Sequence, residues 1–204
     1  MLFKKSQEVL TILVEKEKLT FCSWNVSNDK LMFNAVYQYK LEHEILDLVI
    51  FNYNKIENVI EDFLEQHKIQ NPAVYISFDS SLLDECIFNF VQDTEDNINY
   101  EQISLDLQNQ TYYRVGIKQV LLFQYQLLFM KLKLNLVKIS SDIIILFNIN
   151  KQNYYKESLT VGEFKNNIVN SINFDFEKYI TNNDAIVDLD KLTLINSLGL
   201  FINE

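Results

Sequence analysis

The sequence predicts an α/β domain built on a mixed sheet, and three observations predict it. The chain begins with three apolar or alternating segments separated by short polar turns. Helical and strand periodicities then alternate as far as residue 140. Hydrophobic residues make up 48% of the 204, enough to build a sizeable core. A meander followed by alternating helices and strands places antiparallel and parallel pairs in one sheet, with helices on its faces.

Val9–Val14 is a continuous apolar run, as expected of a strand covered on both faces. Leu19–Val26 alternates, with Leu19 and Phe21 on one face and Cys22, Trp24 and Val26 on the other. After a polar turn over Ser27–Lys30, residues 31–39 alternate again. The stripe Ile56, Val59, Ile60, Phe63 and Leu64 predicts a helix over 54–67, with Asn54 and Glu57 as its capping box and His67 near its C-terminal end. Pro72 introduces a buried strand over 73–78.

Asp79–Ser81 supplies caps for a helix over 82–91, where Leu82, Leu83, Cys86, Ile87 and Phe90 fall in helical register. The polar stretch 92–99 reads as an exposed connection, and 103–107 and 111–117 as a hairpin through Gln108–Gln110. The strongest helix spans 118–134. Its apolar residues wrap most of the way round, which predicts burial on several sides. A short strand over 136–140 follows. Residues 142–150 are isoleucine-rich but preceded by the capping residue Ser141, and fit strand or helix. Helices fit 160–172 and 190–199, the second with Gly199 as its C-cap.

Composition excludes several classes. The net charge of -10, with Arg114 as the only arginine, argues against nucleic acid, whose phosphates are bound by clustered Lys and Arg. No stretch reaches the roughly 18 apolar residues of a membrane span, and the N-terminus lacks the apolar core of a signal peptide, so the expected location is cytoplasmic. Cys22 and Cys86 form no metal-type pair and read as reduced, buried thiols. Three isolated glycines supply no phosphate-cradling loop. No cofactor and no metal are expected.

The element order is that of the ribonuclease H-like fold, the half-unit of actin-like ATPases. Residues 1–140 would form this half-domain and 141–204 a reduced remnant packed on it. Two segments, TYYRVGIKQVLLFQYQLLFMKLKLNLVKIS (111–140) and LTLINSLGLFIN (192–203), resemble parts of the PilM family, actin-like proteins of type IV pilus assembly. In that family the first half ends with a strand, a helix and a glycine-Leu exit into the next strand. Asn135 stands near the place of that glycine. The family's closing helix carries Gly-Leu followed by a basic residue. Ser197, Leu198, Gly199, Leu200 and Phe201 match it in part, and the basic residue is missing. The resemblance covers roughly residues 8–140 plus the last dozen.

The resemblance implies a shortened relative that has lost ATP binding, a pseudo-ATPase. Actin-like ATPases hold nucleotide with glycine-containing turns, and the first turn here is Glu15-Lys16-Glu17-Lys18. The implied function is a non-catalytic scaffold of a type IV pilus or related secretion platform. It would sit at the inner membrane through a bitopic partner, whose short cytoplasmic peptide it grips. Tyr112, Arg114 and Phe129 are the candidate partner-binding residues, because Tyr and Arg are favoured in interface hot spots. Phe123, Leu127 and Met130 read either as core or as a surface left by the missing second half. The competing expectation is a metal-dependent nuclease or residual ATPase using Glu15 and Asp79, each placed at a strand end. No third carboxylate is evident beside them.

Overall fold

A computed structural model describes residues 7–27, 30–88, 95–106, 110–150, 160–172, 180 and 189–202. Strands β1 (Gln7–Val14), β2 (Lys18–Ser27) and β3 (Lys30–Lys40) form the antiparallel meander. A small hairpin, β4 (Ile45–Leu46) and β5 (Val49–Ile50), leads into α1 (Tyr53–Gln66). Strand β6 (Ala73–Phe78) then returns parallel to β1. A single 3₁₀ turn, Ser80–Leu82, precedes a separate antiparallel sheet of β7 (Asp84–Phe88), β8 (Ile98–Asp106) and β9 (Thr111–Lys118), in the order β7-β9-β8. Helix α2 (Gln119–Lys131) and β10 (Asn135–Ser141) follow, and β10 lies parallel to β6. The main sheet therefore runs β10-β6-β1-β2-β3, the ribonuclease H-like order. Helices α3 (Asp142–Asn150), α4 (Val161–Ser171) and α5 (Lys191–Ile202) complete the described elements.

The unbroken apolar run of β1 reflects two covered faces. Leu10, Ile12 and Val14 join a core with Ile56, Ile60 and Phe63 of α1 and Leu121, Leu128 and Phe129 of α2. Val9 and Leu13 point the other way, into a core with Trp24, Phe33 and Tyr75 and with Leu194, Leu198 and Phe201 of α5. A third core joins Tyr113 and Val115 of the small sheet to Ile143 and Ile144 of α3 and Phe164 and Ile168 of α4. The crossover helices α1 and α2 cover one face of the parallel β1–β6–β10 strands, and α5, which follows the last described strand, covers the other.

Several expectations are corrected. Residues 82–88 are not a helix. Asp79 does cap a turn, accepting from Ser81 N at 2.8 Å, but that turn ends at Leu82 and the chain enters β7. Pairing of Cys86 with Arg114 and Ile87 with Tyr113 across the β7–β9 ladder overrides a short helical pattern. Cys86 is therefore a half-buried strand residue; residues 89–91 lie outside the described ones. Residues 142–150 resolve as helix α3. Helix α1 is capped by Asn52, whose side chain accepts from Lys55 N at 3.1 Å. Glu57 instead takes a charge-assisted bond from Lys131 of α2, tying the two helices together.

Gly199 is not a C-cap. It lies inside α5, and a Cβ there would sit 2.4 Å from Ile149 Cδ1 and 2.5 Å from Ile145 Cγ2, so its role is the close approach of α5 to α3. The burial of α2 expected on several sides is also corrected, and of the two readings of Phe123, Leu127 and Met130 it is the surface that is seen. Leu121, Tyr125, Leu128 and Phe129 are buried, whereas Val120 (61% exposed), Phe123 (58%), Leu127 (37%) and Met130 (69%) face outward. No described helix is long and apolar enough to cross a membrane.

Candidate functional site

Three parallel strands end side by side, with Val14, Phe78 and Ser141 in register. The residue following each is a carboxylate: Glu15, Asp79 and Asp142. A cleft of about 390 Å³ opens at these ends, lined by those three carboxylates, by Asp190 from the start of α5, and by Lys165 of α4. The fold thus brings the two sequence-predicted acids, Glu15 and Asp79, to one place. Asp142 is not among the acids that the sequence singles out, and Asp190 belongs to the acidic stretch 184–190, which lacks the glycine of a phosphate turn. The signal that finds Asp142 is positional, since it occupies the same place after β10 that Glu15 and Asp79 occupy after β1 and β6.

Each acid is committed locally. Glu15 accepts from Thr20 Oγ1 at 3.2 Å and lies 3.5 Å from Lys18 Nζ. Burial raises its pKa against the opposing pull of Lys18. Asp79 caps the 3₁₀ turn. Asp142 accepts from Ser80 N at 3.0 Å and from Ile143 N at 2.7 Å, and burial raises its pKa, with Asp79 adding to the effect. Asp190 caps α5 by accepting from Thr193 N and Oγ1. Burial would raise its pKa, but these bonds outweigh it and the net shift is downward. Lys165 is paired with Glu85 at 2.8 Å. Among the described residues no three His, Cys, Asp or Glu side chains converge as metal ligands.

The turn after β1 is closed on itself. Glu15 N donates to Lys18 O at 3.0 Å, and Glu17 O accepts from Leu41 N at 2.8 Å, pinning the tip to the end of β3. Backbone cradles for phosphate alternate right- and left-handed residues. The described left-handed residues are Asp47, Leu48, Lys68, Asn71, Gln110 and Lys133, and none of them lines the cleft.

The predicted partner-binding residues are not gathered at one site. Tyr112 and Arg114 lie on one face of the small sheet. Arg114 is 5% exposed and held between the rings of Phe88 (4.4 Å) and Tyr100 (4.7 Å), and Tyr112 stacks on Phe88 with centroids 5.5 Å apart. Gly116 makes room for this arrangement, since a Cβ there would meet Ile98 Cγ2 at 2.8 Å and Tyr100 Cε1 at 3.1 Å. Phe129 is 1% exposed and belongs to the core beneath α2, where it offers no surface to a ligand. The apolar surface of that helix is instead Val120, Phe123, Leu127 and Met130. The sequence shows these residues at helical spacing but not which side of α2 the sheet covers. Cys22 is buried within β2, and burial pushes its thiol up to about 12, which makes it a poor nucleophile.

No family model matches this chain, and no curated protein matches it. Solved structures similar to this chain include two from secretion and pilus systems. One is the cytoplasmic domain of EpsL, an inner-membrane component of the type II secretion system of Vibrio cholerae, at 12% identity and a TM-score of 0.47, covering 68% of this chain and 59% of that one. The other is a chain of a PilM–PilN type IV pilus biogenesis complex, at 10% identity and a TM-score of 0.49, covering 70% of this chain and 50% of that one. The matches span between half and three fifths of those chains.

Proposed function

We propose that this chain is a non-catalytic cytoplasmic scaffold of a type IV pilus or related secretion assembly platform, binding a short cytoplasmic segment of an inner-membrane partner. The observation that carries the non-catalytic half is the cleft at the strand ends. Its four carboxylates are tied to local caps and turns, and the turn after β1 is closed. The assembly role rests on the resemblance of 111–140 and 192–203 to the PilM family. In this reading residues 1–140 form an actin-type half-domain, and 141–204 are a reduced remnant covering the sheet face that carries Trp24. The partner segment would lie along the outer face of the small sheet, over Tyr112 and the clamped Arg114. Arg114 and Phe88 are themselves buried, so their stack would support the more exposed Tyr112 from beneath. Phe129 would act only by seating α2.

The test is titration of the purified protein with synthetic peptides covering the cytoplasmic segments of single-span membrane proteins encoded beside it. Saturable binding that weakens at least tenfold in Tyr112→Ala supports the reading, and no binding at high micromolar peptide counts against it. A second reading, a metal-dependent nuclease or residual ATPase, is favoured by one observation, the convergence of Glu15 and Asp79 on one cleft. Calorimetry with ATP and magnesium separates the ATPase branch. A saturable heat that disappears in Glu15→Ala would displace the scaffold reading.

A further inference from the structure

The charges of this chain are not spread evenly. From 107 to 141 there is no Asp or Glu, the longest such stretch in the sequence, and the cations there are Arg114, Lys118, Lys131, Lys133 and Lys138. The rest of the chain carries 13 lysines against 28 carboxylates, a net charge of -15. Helix α2 lies in the middle of the acid-free stretch, and it is also where the structure leaves apolar side chains bare. Val120, Phe123, Leu127 and Met130 form one exposed stripe. On the flank of Gln124, which accepts from Ile50 N at 3.2 Å, the apolar surface continues to Phe51, itself 65% exposed. Such a stripe, with lysines at its ends and no acid along it, is complementary to a surface that offers anionic charge and hydrocarbon together.

We infer that α2 docks on the surface of an anionic lipid bilayer, its C-terminal end seated deepest. At 13 residues the helix lies on such a surface and does not cross it. The charges at its two ends set the tilt. Lys131 and Lys133 are exposed beside Met130, and Lys131 stands one helical turn from Leu127 with its side chain 62% exposed beyond its bond to Glu57. Lysine stems lie along apolar surface while their ammonium groups reach lipid phosphates. At the other end Gln119 Nε2 donates to Asp96 O at 2.9 Å, which brings the exposed acidic turn Glu95–Asp96 to the level of Val120. An anionic surface repels that turn, so Leu127 and Met130 enter furthest and Val120 least. Helix α1, tied to α2 through Glu57, exposes Glu61, Asp62 and Glu65, which confines the contact to α2 and keeps it reversible. The surface potential of a membrane falls off within about 8 Å at physiological salt, so the net negative charge on the far side of the molecule is screened. An acidic peptide would answer the lysines and leave the stripe in water. A bilayer holds charge and hydrocarbon in one layer.

The test is co-sedimentation of the purified chain with vesicles of phosphatidylcholine alone and of phosphatidylcholine mixed equally with phosphatidylglycerol, with circular dichroism as the folding control. The expected result is binding to the mixed vesicles that weakens as salt is raised, and little binding to phosphatidylcholine alone. Met130→Glu, an exposed change, is expected to weaken binding about tenfold, and Val120→Glu by no more than about threefold. Lys133→Gln is expected to weaken it about fivefold, the weight of one lysine at an anionic surface, and Asp96→Asn to strengthen it. No binding to the mixed vesicles overturns the inference, as does equal binding to both kinds or indifference to Met130→Glu. Binding to soluble polyglutamate without binding to vesicles would assign the face to an acidic protein and overturn it too. A larger loss in Val120→Glu than in Met130→Glu overturns the tilt. These readouts use no peptide, so this inference and the partner titration can each fail alone.

Discussion

Helices α2 and α5 are written in nearly the same way and packed in opposite ways. Each is apolar around its whole circumference, with hardly a charge along it. Helix α5 is engulfed, with Leu194, Ile195, Ser197, Leu198, Leu200 and Phe201 all buried, whereas α2 leaves a full stripe bare. What separates them is the size of a few side chains. Helix α5 carries Ser197 and Gly199 where it meets β1 and α3. The small residues let backbones approach, and the serine hydroxyl bonds Thr11 and Trp24 Nε1, the latter at 2.9 Å. Helix α2 has only long side chains outside its contact face, so nothing in it invites a second layer from its own chain. An apolar helix is therefore a statement about water, and the small residues say whether the cover comes from within.

That contrast can be broken at its strongest point first. Gly199→Val forces a branched side chain into Ile145 and Ile149 and should cost about 3 kcal/mol of overpacking, read as a lower urea midpoint at unchanged m-value. Ser197→Ala leaves Trp24 Nε1 buried without its acceptor and should cost about 2 kcal/mol by the same measurement. On α2 the signs differ. Tyr125 is buried against Phe78, and its hydroxyl has no partner among the described residues, so Tyr125→Phe should gain about 1 kcal/mol in thermal or urea unfolding. Leu127→Gln, on the bare stripe, should change monomer stability by no more than about 0.5 kcal/mol, measured at a concentration low enough to exclude association. A large loss there would mean that the stripe is covered within the chain.

The sequence carries the main sheet plainly in the runs 9–14, 19–26 and 73–78, whose pattern matches their burial. In 31–39 the expected single apolar face is corrected, because a bulge opposite Ser23 and Trp24 sends Leu31 and Phe33 into one core and Ala35 and Tyr39 toward the other. The small sheet is half hidden. Leu82 to Ile87 has helical spacing over too few residues, and only pairing with β9 decides it. The isoleucines of 142–150 hide a helix for a similar reason: a helix buried between two cores needs no polar face, and a strand propensity goes uncorrected. At the cleft, Glu15 and Asp79 are readable as strand-end acids. Asp142 is not, because recognising it requires knowing that β10 is the third parallel strand. Phe129 and Phe123 lie six residues apart on one helix, and only the position of the sheet tells which is anchor and which is surface.

The bond between Thr11 and Ser197 spans 186 residues, and that from Trp24 spans 173. A ribosome working at 5–20 residues per second needs on the order of 10–40 s to travel from one end of that bond to the other. For all that time the first three strands exist without the helix that seals one side of them. Val9, Trp24 and Phe33 meet α5 last, so the emerging chain carries an open greasy wall. Closure of that wall waits on contacts spanning 173 and 186 residues, and contacts of high sequence separation form slowly.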